Sequence, residues 1–82
     1  MSLADPVARK LNSLGIFLME HGHVLEQGCN MHTWTDDGEF RIRVGGTGSD
    51  ALEETSVDPQ TAIDRIIARL RDQLAVGDLI KA

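Results

Sequence analysis

A chain of 82 residues with a formal net charge of −5 and a single cysteine is long enough for one domain but too short for a deep core, and it cannot staple itself with an internal disulfide. The acidic balance argues against a protein devoted to gripping phosphates, because nonspecific nucleic-acid affinity comes from clustered Lys and Arg. No apolar run approaches the length that spans a bilayer and the opening residues carry no basic, apolar leader, so the expectation is a cytoplasmic protein without a membrane segment.

Residues 1–4 read as a loose start. Asp5 then supplies a capping carboxylate and Pro6 fills the first helical position, where its missing N–H costs nothing. Val7, Leu11, Leu14 and Leu18 recur at helical spacing, which predicts a helix over 5–20 with Gly22 as its cap. Gly15 lies inside that span, but an isolated internal glycine costs only about 1 kcal/mol.

From His23 onward the period changes. The runs Val24 to Thr35 and Glu39 to Val44 flank Asp36-Asp37-Gly38, a strong local hairpin signal, and Phe40, Ile42 and Val44 alternate with Glu39, Arg41 and Arg43. A hairpin over 24–44 follows, in one of two registers. With Asp37-Gly38 as a two-residue loop, Thr35 faces Phe40 and Thr33 faces Ile42, leaving Trp34 on the outer face beside Arg41 and His32 beside Arg43. With all three loop residues in the turn, Trp34 opposes Phe40 and belongs to the core. A slip of one residue moves the whole strand to the other face.

Gly45 to Ser49 reads as a flexible turn, and residues 51–57 as a short third strand. Asp58 and Pro59 repeat the cap-then-proline device ahead of Ile63, Ile66, Ile67, Leu70 and Leu74, a stripe that predicts a helix over 58–76 ended by Gly77. The expected fold is therefore α+β in the order α-β-β-β-α: a small antiparallel sheet of two to three strands with an N-terminal and a C-terminal helix packed on one face.

Four groupings of residues bear on chemistry. His21, His23, Cys29 and His32 are close in sequence and of zinc-ligand type, although His-x-His is a less usual half-site and the loop between the pairs is short. Cys29 with His32 or His21 offers the only nearby nucleophile and base, but so thin a domain rarely encloses a water-poor cleft, so no enzyme and no cofactor are expected. Gly-Gly-Thr-Gly-Ser is followed by acids rather than by a lysine or a helix N-terminus, and reads as a turn. Trp34, Arg41, Arg43 and His32, if outward, are of the types that dominate protein interfaces; the acidic stretch of Asp50, Glu53, Glu54 and Asp58 is a second candidate contact surface.

The element order, with Phe40-Arg-Ile42-Arg-Val44-Gly45-Gly46 leading through a glycine turn to a closing helix that carries Ala62 and Ala68, resembles a double-stranded-RNA-binding domain. That resemblance implies nucleic-acid contacts through Arg41, Arg43, Arg65, Arg69 and Arg71, although the positions that match the family's lysine cluster read Asp58, Pro59, Gln60 and Thr61. The run Trp34-Thr-Asp-Asp-Gly-Glu-Phe40 also resembles hairpins of small acidic accessory proteins of bacteria and their phages. The functional expectation is a non-enzymatic protein–protein interaction module, a phage or bacterial regulator or inhibitor that docks on a host protein through the hairpin face or through Glu53 and Glu54. The alternatives are nucleic-acid binding by the arginines and zinc binding by the His/Cys group. Symmetric homodimerisation is compatible with all three.

Overall fold

The computed structural model describes residues 5–46 and 48–81, with side-chain surroundings as far as residue 75; the loose start expected for residues 1–4 lies outside the described residues. The elements are α1 (Asp5–His21), β1 (Met31–Asp36), β2 (Glu39–Val44), β3 (Leu52–Ser56) and α2 (Pro59–Lys81), with the strands in one antiparallel sheet of order β1-β2-β3. This is the α+β architecture expected from the sequence.

Helix α1 runs through Gly15 without interruption and ends where the Gly22 N–H donates to Leu18 O at 2.7 Å. Gly22 is needed for closeness rather than for a left-handed cap. A Cβ there would lie 2.6 Å from Leu18 O and 2.7 Å from Cys29 Cβ, because the following segment folds back against the end of the helix. Gly22→Ala should accordingly destabilise the domain by about 1–3 kcal/mol through overpacking. Gly15→Ala, with nothing within 4 Å of the new methyl, should instead gain about 0.5–1 kcal/mol, and urea titration of both variants checks the contrast.

The strand expected from Val24 begins only at Met31. Residues 22–30 spend their backbone groups on local turns, with Val24 N–H donating to His21 O and Gly28 N–H to Leu25 O, while Leu25 is buried in the core and Gly28 has φ of 79°. The letters Val-Leu-Glu-Gln-Gly-Cys-Asn show no period-two alternation, and no strand among the described residues pairs with them.

The hairpin takes the two-residue loop. Asp37 (φ 55°) and Gly38 (φ 79°) both adopt positive φ, the signature of a type I′ turn whose twist matches that of its flanking strands. The pairs are Thr35 with Phe40, Trp34 with Arg41, Thr33 with Ile42, His32 with Arg43 and Met31 with Val44. On the other side of β2, Ile42 pairs with Glu54, Arg43 with Glu53 and Arg41 with Thr55. Paired residues share a face, so one face carries Phe40, Ile42 and Val44, and the other carries Trp34, His32, Arg41, Arg43 and Glu53.

Helix α2 starts as expected. Asp58 Oδ1 accepts from Gln60 N–H at 3.2 Å and Asp58 Oδ2 from the Thr61 hydroxyl at 2.9 Å, so the carboxylate satisfies groups that the first turn leaves over. Its end differs from expectation: the helix continues past Gly77 to Lys81, since no proline follows to stop it and one internal glycine costs about 1 kcal/mol. Ala62, Ile63, Ile66 and Leu70 lie over the inner face of β2 and β3, and α1 packs chiefly against α2, adding Val7, Leu14 and Leu18 to the same core. Lys10 Nζ reaches Asp64 Oδ1 at 2.6 Å across the two helices. β1 packs chiefly on β2, which leaves it as an edge strand beyond the helical cover.

Candidate interaction face

The face of the sheet away from the helices is built by period-two alternation on three strands. Every second residue of EFRIRV is polar, so once Phe40, Ile42 and Val44 are buried the two arginines must point outward. The I′ turn then sets β1 in the register that brings Trp34 beside Arg41 and His32 beside Arg43. β3 adds Glu53 opposite Arg43.

These side chains hold one another. Arg43 donates from Nε (3.1 Å) and Nη2 (2.7 Å) to the same Glu53 oxygen, Oε2. Its guanidinium carbon lies 5.5 Å from the centroid of the Trp34 ring, within cation–π range, and the His32 ring centroid is 5.2 Å from that of Trp34. Arg41 has ion-pair partners only at long range, Asp36 Oδ2 at 3.6 Å and Glu53 Oε1 at 3.9 Å, beyond hydrogen-bonding distance. Glu53 thus bridges both arginines and fixes Arg43, while Arg41 keeps donors to offer. Trp34 is half-buried by its neighbours on this face and takes no part in the inner core.

Glu53 and Glu54 do not form one acidic surface. Neighbours in a strand point to opposite faces, and Glu54 is carried to the helix side, where its Oε2 accepts from Arg69 Nη1 at 2.9 Å; the same nitrogen reaches Glu53 O at 3.3 Å. Asp58 is spent on capping α2. The arginines are divided in the same way. Arg41 and Arg43 lie on the open face, whereas Arg65, Arg69 and Arg71 lie on α2, across the sheet, with Arg69 paired to Glu54.

The histidines and the cysteine are dispersed as well. His21 ends α1 with its ring 4.8 Å from that of Phe17, His32 stands on the outer sheet face, and His23 and Cys29 border a shallow apolar recess with Leu18 and Met19. No three His, Cys, Asp or Glu side chains among the described residues are placed to hold a metal ion, and β1, which carries His32, starts only at Met31.

The role of Glu53 was missed from sequence because nothing in the glycine turn announces the β2–β3 register. The alternation Glu-Phe-Arg-Ile-Arg-Val was the one available signal that outward arginines would seek acids on a neighbouring strand. No protein-family model, curated protein or solved structure matches the chain. Among the described residues no helix is long and apolar enough to cross a membrane.

Proposed function

We propose that the protein is a non-enzymatic interaction module that docks on a partner protein through the outer face of its sheet, in the manner of a small phage or bacterial regulator or inhibitor. The observation that carries this reading is the ordered group Trp34, Arg43, Glu53 and His32 surrounding Arg41, whose donors have no acceptor at hydrogen-bonding distance among the described residues. A preorganised aromatic beside an arginine is the composition of an interface hot spot, since little side-chain freedom remains to be lost on binding. The complementary partner surface places a carboxylate against Arg41 and an apolar group over the indole. The acidic segment is the weaker docking surface, because Glu53, Glu54 and Asp58 all have partners within the fold.

The test is capture from lysate, with and without nuclease, using a photo-crosslinking residue in place of Thr55, which is on the same face between the arginines and the sheet edge. One protein should crosslink, survive nuclease, and vanish with Arg41→Ala/Arg43→Ala at unchanged circular dichroism. Recovery that depends on nucleic acid, or a crosslink indifferent to both arginines, would remove this reading.

A further inference from the structure

The two edges of the sheet are treated differently. β3 carries adjacent acids, and pairing it with a second β3 about a two-fold axis centred on its middle residue, Glu54, would set Glu54 against its own copy. Like charges directly opposite are destabilising, and edge charges of this kind are a common guard against strand pairing. β1 has no such guard. Its six residues, Met-His-Thr-Trp-Thr-Asp, include no proline and no lysine, show no bulge in their pairing with β2, and carry their one formal charge at the end, on Asp36.

The exposed backbone groups of β1 can be assigned. In a two-residue hairpin the residues flanking the turn, Asp36 and Glu39, form a hydrogen-bonded pair, so Asp36, Trp34 and His32 turn their backbone groups toward β2. The bond from Gly45 N–H to Asn30 O, at 2.8 Å, continues that alternation. Met31, Thr33 and Thr35 therefore aim their N–H and C=O groups at the open edge.

From this we infer that β1 is a self-complementary edge that pairs antiparallel with β1 of a second copy of this chain, about a two-fold axis through Trp34, to make a continuous six-stranded sheet. Around that axis the strand reads His-Thr-Trp-Thr-Asp, and every pairing is favourable. Thr33 of each copy exchanges both backbone hydrogen bonds with Thr35 of the other. Trp34 meets its symmetry mate in the closer, non-hydrogen-bonded position. His32 stands opposite Asp36 of the other copy, twice. Aromatic and threonine pairs are cross-strand combinations that stabilise a sheet, and each His32 ring N–H faces a carboxylate that can accept from it. A register centred on Thr33 would instead leave Asp36 facing Asn30. The dimer stands independently of the docking proposal: it leaves Arg41 on the open face in both copies, and a chain this small has most to gain from added burial.

Equilibrium sedimentation of the full chain, from micromolar to submillimolar concentration, tests the inference with three variants. The wild-type chain should show a concentration-dependent dimer. Thr33→Pro removes an N–H that points away from β2, a change that edge strands tolerate, and should give a monomer with unchanged circular dichroism. Residue 32 provides a second arm in which the effects within and between chains oppose each other. His32→Asp gains Arg43 as a neighbour in its own chain but faces Asp36 of the other copy, so its dimer should dissociate more readily. His32→Lys crowds Arg43 but faces that same Asp36, so its dimer should be tighter, with the two dissociation constants about tenfold apart. A chain monomeric at every concentration overturns the proposal, as does a dimer that Thr33→Pro leaves intact in a folded protein. If Thr33→Pro does not fold, the residue 32 pair decides: dissociation constants that fail to separate in this order overturn the Trp34-centred pairing.

Discussion

Ile66→Ala is expected to lower the unfolding free energy by about 2–5 kcal/mol, the usual range for truncating a fully buried isoleucine. Ile66 is completely inaccessible to solvent and lies in the same core as Ile42, Ile63 and Leu70, in the middle of the helix that covers the sheet. At about 0.05–0.15 kcal/mol per residue, a chain of this length has roughly 4–12 kcal/mol of stability in all, so one cavity removes a large share of it. A single helix covers β2 and β3 and α1 packs chiefly against that helix, so Ile66 sits in the one core that all of these elements share. Ile67, the next residue, is half-buried, and Ile67→Ala should cost clearly less because less apolar area is withdrawn from the interior. Urea unfolding of the two variants, followed by circular dichroism, makes the comparison; equal losses would mean that α2 presents a different stripe to the sheet.

The second large effect falls on binding. Trp34→Ala should weaken attachment to the partner by more than about 2 kcal/mol, as expected of a central aromatic anchor, while its effect on stability should be only about 1 kcal/mol. The two numbers separate because the indole rests on Arg43 and beside His32 on the outer face and is absent from the core built by Phe40, Ile42 and Val44. Thermal unfolding and titration of the crosslinked partner measure the two quantities in the same variant. A stability loss of about 3–5 kcal/mol, the cost of removing a buried tryptophan, would show that the ring is core and would end the docking reading. If β1 also pairs with a second copy, the same variant loses its central cross-strand contact and dissociates at higher concentration, so partner titrations belong below the dimer's dissociation constant.

The outer face also bears on the resemblance to double-stranded-RNA-binding domains. The element order of that outline is present, but the charge is not arranged to match it. Arg43 and Arg69 are each neutralised by a glutamate, one on each side of β3, and Asp58 stands at the start of α2. The adjacent acids of β3 thus each hold an arginine, one on each face of the sheet.

Local chemistry was sufficient for several features. Asp58 and Pro59 set the start of α2, Asp37-Gly38 demanded two successive positive φ angles, and the alternation from Glu39 to Val44 put three apolar side chains on one face, because caps, turns and pleats depend on residues within a few positions of one another. The apolar stripe of α2 likewise identified its buried side. What the tertiary structure decided was everything that depends on a distant neighbour. Val24 to Asn30, expected to open the first strand, folds instead into turns against the end of α1, with Cys29 close to Gly22. Trp34 had two faces open to it until the turn geometry chose one, and Glu53 and Glu54 parted company only when β3 took its register against β2. The sequence by itself determined the order of the elements and the buried faces of β2 and α2, and its Asp37-Gly38 turn carried the β1–β2 register; the β2–β3 register, which set Glu53 on the outer face, came from packing across the glycine turn that no local pattern encodes.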